Sequence, residues 1–247
     1  MRPRIVNLDV DQMPWKALGP SGLYSRELSR DPETGARTAL QWLSMDRGYT
    51  PPATAHYHHT YEEIIGVSGH FSFDSRLWVT PYTYVFHPPE TVHGFKSAIR
   101  EESTFISRVG RDLDFNFVEQ PIADDLYSVA ETPSARTECK RPAQSNLAAL
   151  APATFLGAPA RACVLSAHPQ SGEGSALVEL PAGWASTSEA LPCYLELFVM
   201  EGGLSVDSLE PASGRAYFSY PPNDVLNSLA APGRSLIYVN FGGAIGL

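Results

Sequence analysis

His56-Tyr-His-His-Thr-Tyr-Glu62, followed by Gly69 and then by Pro88-Pro-Glu-Thr-Val-His93, is the part of the sequence whose reading decides the rest. Six of the seven histidines fall between residues 56 and 93, and the seventh is His168. Such crowding points to a chemical cause, because imidazole is the commonest metal ligand among side chains. In an extended strand alternate side chains share a face, so His56 and His58 point together while His59 points the other way. Glu62, arriving after a tight connection, adds a carboxylate oxygen, and His93 can return from a later strand to complete a set of four donors. Three nitrogens and one oxygen suit Fe(II), Mn(II), Co(II), Ni(II), Cu(II) or Zn(II), whereas Mg and Ca prefer oxygen alone. With four donors in place, His59, Glu63, His70 and His87 read as supporting or structural groups.

Outward from this stretch the signal is almost wholly β. Short runs rich in β-branched and aromatic residues, separated by Gly, Pro and Asp turns, occur at 38–44, 62–68, 70–73, 83–86 and 104–109. A second block follows at 163–166, 176–180, 193–200, 215–220 and 235–241. The two blocks align. Glu63 lies opposite Glu196, Gly69 opposite Gly202, and Tyr84-Val-Phe-His-Pro-Pro opposite Tyr217-Phe-Ser-Tyr-Pro-Pro, which reads as a duplicated β unit. Between the blocks the chain is rich in Ala, Pro and polar residues, with one short helical turn expected near Asn146 to Leu150. The expected organisation is therefore an N-terminal metal-binding barrel over 1–118, an irregular connector over 119–160 that wraps a neighbouring surface, and a C-terminal barrel over 161–247.

The run H-x-H-x3-E-x6-G, filled by His56, His58, Glu62 and Gly69, and the run P-x4-H, filled by Pro88 and His93, together resemble the two motifs of the cupin superfamily. The resemblance implies an all-β fold of two double-stranded β-helix (jelly-roll) barrels in tandem, as in the two-domain bicupins. It also implies that His56, His58, Glu62 and His93 hold one divalent transition metal ion per chain, Fe first and Mn, Zn or Ni as alternatives. Glu90 stands where the family's second motif carries a glycine, which leaves the shape of that turn open. Opposite the four donors the second block has Glu189, Leu191, Leu195 and Leu226, so its barrel is expected to hold no metal.

Composition narrows the function classes. The net charge is −9 and no run of Lys or Arg occurs, which argues against a nucleic-acid surface. The hydrophobic fraction is 43% against 18% charged, the balance of a chain with a packed core. No secretory leader or 18-residue apolar stretch is read, so a cytoplasmic protein off the membrane is expected. Cys139, Cys163 and Cys193 show no C-x-x-C spacing and are expected to be thiols. Nucleotide-binding glycine loops and G-x-S-x-G are absent from the sequence. The cupin resemblance then implies a metal-dependent oxidoreductase, an Fe(II) dioxygenase that opens a small enol, diketone or hydroxy-aromatic substrate. A non-redox isomerase, cyclase or lyase is the first alternative, with His87 or Glu90 as base, and a non-catalytic small-molecule binder is the second. The oligomeric state is expected to be monomer or homodimer.

Overall fold

The computed structural model describes every residue except Met1, Ser188, Glu189, Asp207, Ser208, Leu209, Ser213 and Asn227. The expected counterpart of His56 in the second block, Glu189, therefore lies outside the described residues. Strand accounts for 47% of the chain and helix for 3%.

In chain order the first strands are β1 (Ile5–Asp9), β2 (Lys16–Ala17), β3 (Leu23–Arg30), β4 (Arg37–Leu43), β5 (Ala55–Tyr57) and β6 (Glu62–Ser72). They are followed by β7 (Tyr84–His87), β8 (Thr91–Val92), β9 (Ala98–Val109), β10 (Asn116–Val118), β11 (Tyr127–Ser128) and β12 (Cys139–Arg141). A short helix, α1 (Ala143–Ala148), precedes β13 (Ala151–Phe155), β14 (Ala158–Ala167), β15 (Gly174–Leu180) and β16 (Trp184–Ala185). The last strands are β17 (Leu195–Glu201), β18 (Ala216–Tyr220), β19 (Ala230–Ala231) and β20 (Ser235–Phe241).

The chain forms two compact units, Pro14–Ser145 and a second made of Met1–Met13 with Asn146–Leu247. The first carries six of the seven histidines. Its main sheet runs β12-β7-β6-β9-β4-β3-β2, and that of the second runs β1-β18-β17-β20-β15-β14-β13. The orders match strand for strand, so the duplication read from sequence is a duplication of topology. All pairings in both main sheets are antiparallel.

The boundaries differ from the expected ones, and the reason is an exchange. The strand that leads into the second repeat, β12, pairs with β7 of the first, and the strand that leads into the first, β1, pairs with β18 of the second. The segment expected to be an irregular connector is accordingly built into both units: β11 and β12 extend the first, while β13 and β14 form a hairpin in the second. The helical turn expected at 146–150 is present as α1, three residues earlier.

Details repeat at the atomic level. Gly69 and Gly202 both have positive φ (81° and 77°), and in each case the next backbone N–H donates to a serine hydroxyl, Ser103 (2.8 Å) or Ser235 (3.1 Å). A Cβ on Gly69 would fall 2.2 Å from the Glu102 carbonyl oxygen, so the bulge in β6 requires glycine. Glu63 is fully buried and takes Arg136 at 2.7 Å together with the Tyr84 hydroxyl. Glu196, equally buried, takes Arg2 at 2.7 Å together with the Tyr217 hydroxyl. In both units the arginine arrives on the exchanged lead-in segment.

Candidate metal centre

The four expected donors sit on β5, the turn after it, the start of β6 and the turn after β8. His56 and His93 face each other across an antiparallel bridge, with His56 N–H donating to the His93 carbonyl (3.0 Å) and His93 N–H to that of His56 (2.9 Å). His58 lies two residues on, where its carbonyl accepts the Glu90 N–H at 2.7 Å. His56, His58 and His93 are all buried, and each presents a ring nitrogen within 4.8 Å of the others. A second group with the same spacing consists of Glu62, His87 and His93. The expected quartet is thus arranged as two overlapping trios that share His93, and His87, read from sequence as a supporting group, stands in one of them.

The orientation of the rings is set by backbone carbonyls. His56 Nδ1 donates to Thr54 at 3.1 Å, His93 Nδ1 to Thr91 at 2.8 Å, and His58 Nδ1 to Asp114. With Nδ1 protonated in all three, the lone pair of each neutral imidazole is on Nε2. Burial pushes His56 down to about 4, with His93 adding to the effect, and burial next to His93 holds His87 well below its ordinary range. Neutral imidazole is the ligand form. Burial by itself would raise the Glu62 carboxyl; in the metal-free protein, when the rings carry a second proton, the hydrogen bond and charge of His93, with His58 and His87, outweigh it and hold Glu62 down at about 2. Its Oε2 lies 3.4 Å from His93 Nε2. Metal bonds of about 2.0–2.2 Å to nitrogen and oxygen place neighbouring donors at such separations, so each trio fits a divalent transition ion.

Beside the donors are groups that the sequence did not single out. Gly94 (φ +83°) packs against His56 so closely that a Cβ there would lie 2.6 Å from Cε1 of the ring. Asp114 holds the His58 ring through its carbonyl and the exposed His59 ring through its carboxylate, which Asn116 also bonds at 2.8 Å. His59 lies outside both trios. Phe115 and Phe117 are exposed (57% and 65%), stack on one another at 21°, and flank His56, with Phe115 also edge-on to His58 at 4.9 Å. No pattern marks these residues in the sequence, since the loop that carries them is brought to the site by the pairing of β10 with β5.

Glu90, in the glycine place of the second motif, has φ +61° and so adopts the left-handed conformation that glycine would supply. Its counterpart Asn223 has φ +66°, and the Asn223 N–H donates to Leu191 as that of Glu90 does to His58. Glu90 Oε1 is 3.8 Å from His59 Nε2 at the rim. In the second unit Leu191, Leu195 and Leu226 are buried in one apolar cluster, where the donors of the first unit would stand.

No family model and no curated protein matches the sequence. Solved structures do match, at low identity. A dioxygenase candidate from Nostoc punctiforme superposes with a TM-score of 0.65 at 15% identity, covering 98% of this chain and 79% of that one. Salicylate 1,2-dioxygenase from Pseudaminobacter salicylatoxidans gives 0.64 at 14%, covering 91% and 78%. A variant of that enzyme in complex with gentisate gives 0.62 at 14%, covering 94% and 77%. The chain has a nearly all-β fold of the cupin type. Among the described residues no helix is long and apolar enough to cross a membrane.

Proposed function

We propose that the protein is a two-domain cupin whose histidine-bearing unit is a mononuclear metal-dependent dioxygenase, with Fe(II) as the metal and a small hydroxy-aromatic, enol or diketone as substrate. The observation that carries this reading is the set of three buried imidazoles, each anchored by Nδ1 on a carbonyl and each with a ring nitrogen within 4.8 Å of the others, with Glu62 beside His93. When bound, the metal would supply activation of O₂ and polarisation of a chelating substrate oxygen. His56, His58, Glu62 and His93 would hold it, and Glu62 would offset its charge. The structural likeness to salicylate 1,2-dioxygenase supports the same class of chemistry.

Residues of this chain argue for a planar, anionic substrate. The stacked pair Phe115 and Phe117 offers an aromatic face next to His56 and His58. Arg37 and Glu62 are both register partners of Val109 on neighbouring strands, so the three side chains share a face of the sheet. The Arg37 guanidinium is paired with Asp112 only at 3.8 Å, a separation that would leave it donors for a carboxylate or enolate. Glu90, beside His59 at the rim, is placed to take up or release a proton.

The test is O₂ consumption by iron-loaded protein over a panel of hydroxybenzoates, catechols and diketones. Uptake of one O₂ per substrate consumed is expected. No uptake across the panel with iron confirmed bound would overturn the dioxygenase reading, and turnover that survives strict anaerobiosis would replace it with Lewis-acid chemistry.

A further inference from the structure

We propose that His87 is a fifth donor to the ion, so that Glu62, His87 and His93 form an inner seat overlapping the His56, His58, His93 seat. The inference deepens the metal reading above and rests on it. Three independent features lead to it.

The first is register. Glu62 and His87 are direct cross-strand partners in the β6–β7 ladder, so their side chains leave the sheet on the same face. The His87 ring centroid lies 4.5 Å from that of His93, and one ring nitrogen falls within 4.8 Å of donor atoms of both Glu62 and His93.

The second is an unmet bond. Each of His56, His58 and His93 has its Nδ1 on a carbonyl, but Nδ1 of His87 has no hydrogen-bond partner among the described residues although the residue is 2% exposed. A buried polar atom left in this state is costly, and it is rare in native structures unless a ligand or a water meets it. The cavity of about 10 Å³ that His87 helps to line is walled mainly by Phe73, Leu77, Val79 and Val85, and it has room for one water at most. The polar pair on its wall, Asp74 and Lys140, is already joined at 2.8 Å.

The third is the internal comparison. In the second unit the register pair equivalent to Glu62 and His87 is Leu195 and Tyr220. The imidazole at this position is missing from the repeat in which Leu191, Leu195 and Leu226 replace the other donors. A purely structural histidine has no reason to disappear together with a metal site.

The experiment compares wild type, His87→Phe and His87→Gln, each stripped of metal and then titrated anaerobically with Fe(II) and Co(II) against a chelator. X-ray absorption at the metal edge counts the imidazoles. Circular dichroism of the metal-free forms checks folding, and His87→Gln decides if the Phe variant does not fold. Expected are four imidazole scatterers in wild type and three in the variants, with affinity lowered at least about tenfold, the smallest loss seen on removing even a residue that only supports a ligand. Affinity within twofold of wild type and the same imidazole count in a folded variant would overturn the proposal. Wild type that binds neither ion would instead overturn the metal reading itself, a distinguishable failure.

Discussion

Gly94→Ala puts the geometry of the site under a single methyl group. Gly94 has φ +83°, and the new Cβ would fall 2.6 Å from His56 Cε1 and 3.0 Å from its Nδ1. Carbon atoms in contact settle at about 3.5–4.0 Å, so the ring must retreat by roughly 1 Å. The nearby polypeptide gives it little room, because the bridge between His56 and His93 fixes both backbones. The bond from His56 Nδ1 to Thr54 is then lost or bent, and with it the lock on the tautomer. Loss of such an orienting bond lowers metal affinity about 10–100-fold. The left-handed backbone adds a separate stability loss of about 1–2 kcal/mol. Gly48 separates the two effects: its φ is +78°, yet a Cβ there meets nothing within 4 Å. Urea unfolding of metal-free protein should show Gly48→Ala and Gly94→Ala destabilised alike by backbone strain, with an additional loss in Gly94→Ala from the clash. Chelator competition should show the affinity loss in Gly94→Ala alone. Equal metal affinity in the two variants would refute the reasoning.

Arg136→Met strands a carboxylate with no exposure, although Arg108 at 3.4 Å and the Tyr84 hydroxyl remain to Glu63. The expected loss is about 3 kcal/mol by urea unfolding, reduced when Glu63→Gln is added, and a loss below about 1 kcal/mol would count against the network. Glu90→Gly relieves a left-handed non-glycine residue and should raise the thermal midpoint by the equivalent of up to about 1 kcal/mol; a lowered midpoint would mean that the Glu90 side chain contributes more than its backbone strain removes. Metal-free protein should lose stability as the pH falls. His56, depressed to about 4 when folded, binds its proton more readily unfolded, so its contribution is complete above about pH 6.5 and is lost between there and about pH 4. Glu62, also depressed, withdraws its contribution below about pH 4.5 and down to about 2. Urea midpoints at pH 7, 5.5 and 4.5 check the sign, and a midpoint that rises on acidification would contradict it.

The grouping of His56, His58 and His93 was legible because a strand period of two sets the first two side by side and the later Pro-Pro turn can return the third. The repeat was legible because Gly69 and Gly202 answer the same steric demand against Ser103 and Ser235. What the sequence concealed depends on non-local pairing. Nothing in residues 119–160 announces that Cys139 to Arg141 lie along β7, and nothing near Arg2 announces a buried glutamate almost two hundred residues away. The same holds for Phe115 and Phe117, which read as ordinary apolar residues until β10 is set beside β5. His87 was set aside because four donors already made a set, whereas its cross-strand register with Glu62 places it in one of the two trios.

The exchanged lead-in strands also order events during synthesis. The histidine-bearing unit needs Arg136 and β12, so a nascent chain ending at residue 118 leaves the β7 edge open and Glu63 without its guanidinium. That barrel closes only after residue 141 has left the ribosome. The other unit joins the first strand of the chain to β18, and it must keep β1 waiting until about residue 220 has been made. A histidine-bearing piece cut at residue 118 is therefore incomplete, whereas the contiguous segment Pro14–Ser145 carries its own β12 and Arg136. The segment between the repeats is therefore a working part of both sheets, and changes in it are felt in the strand order of each unit.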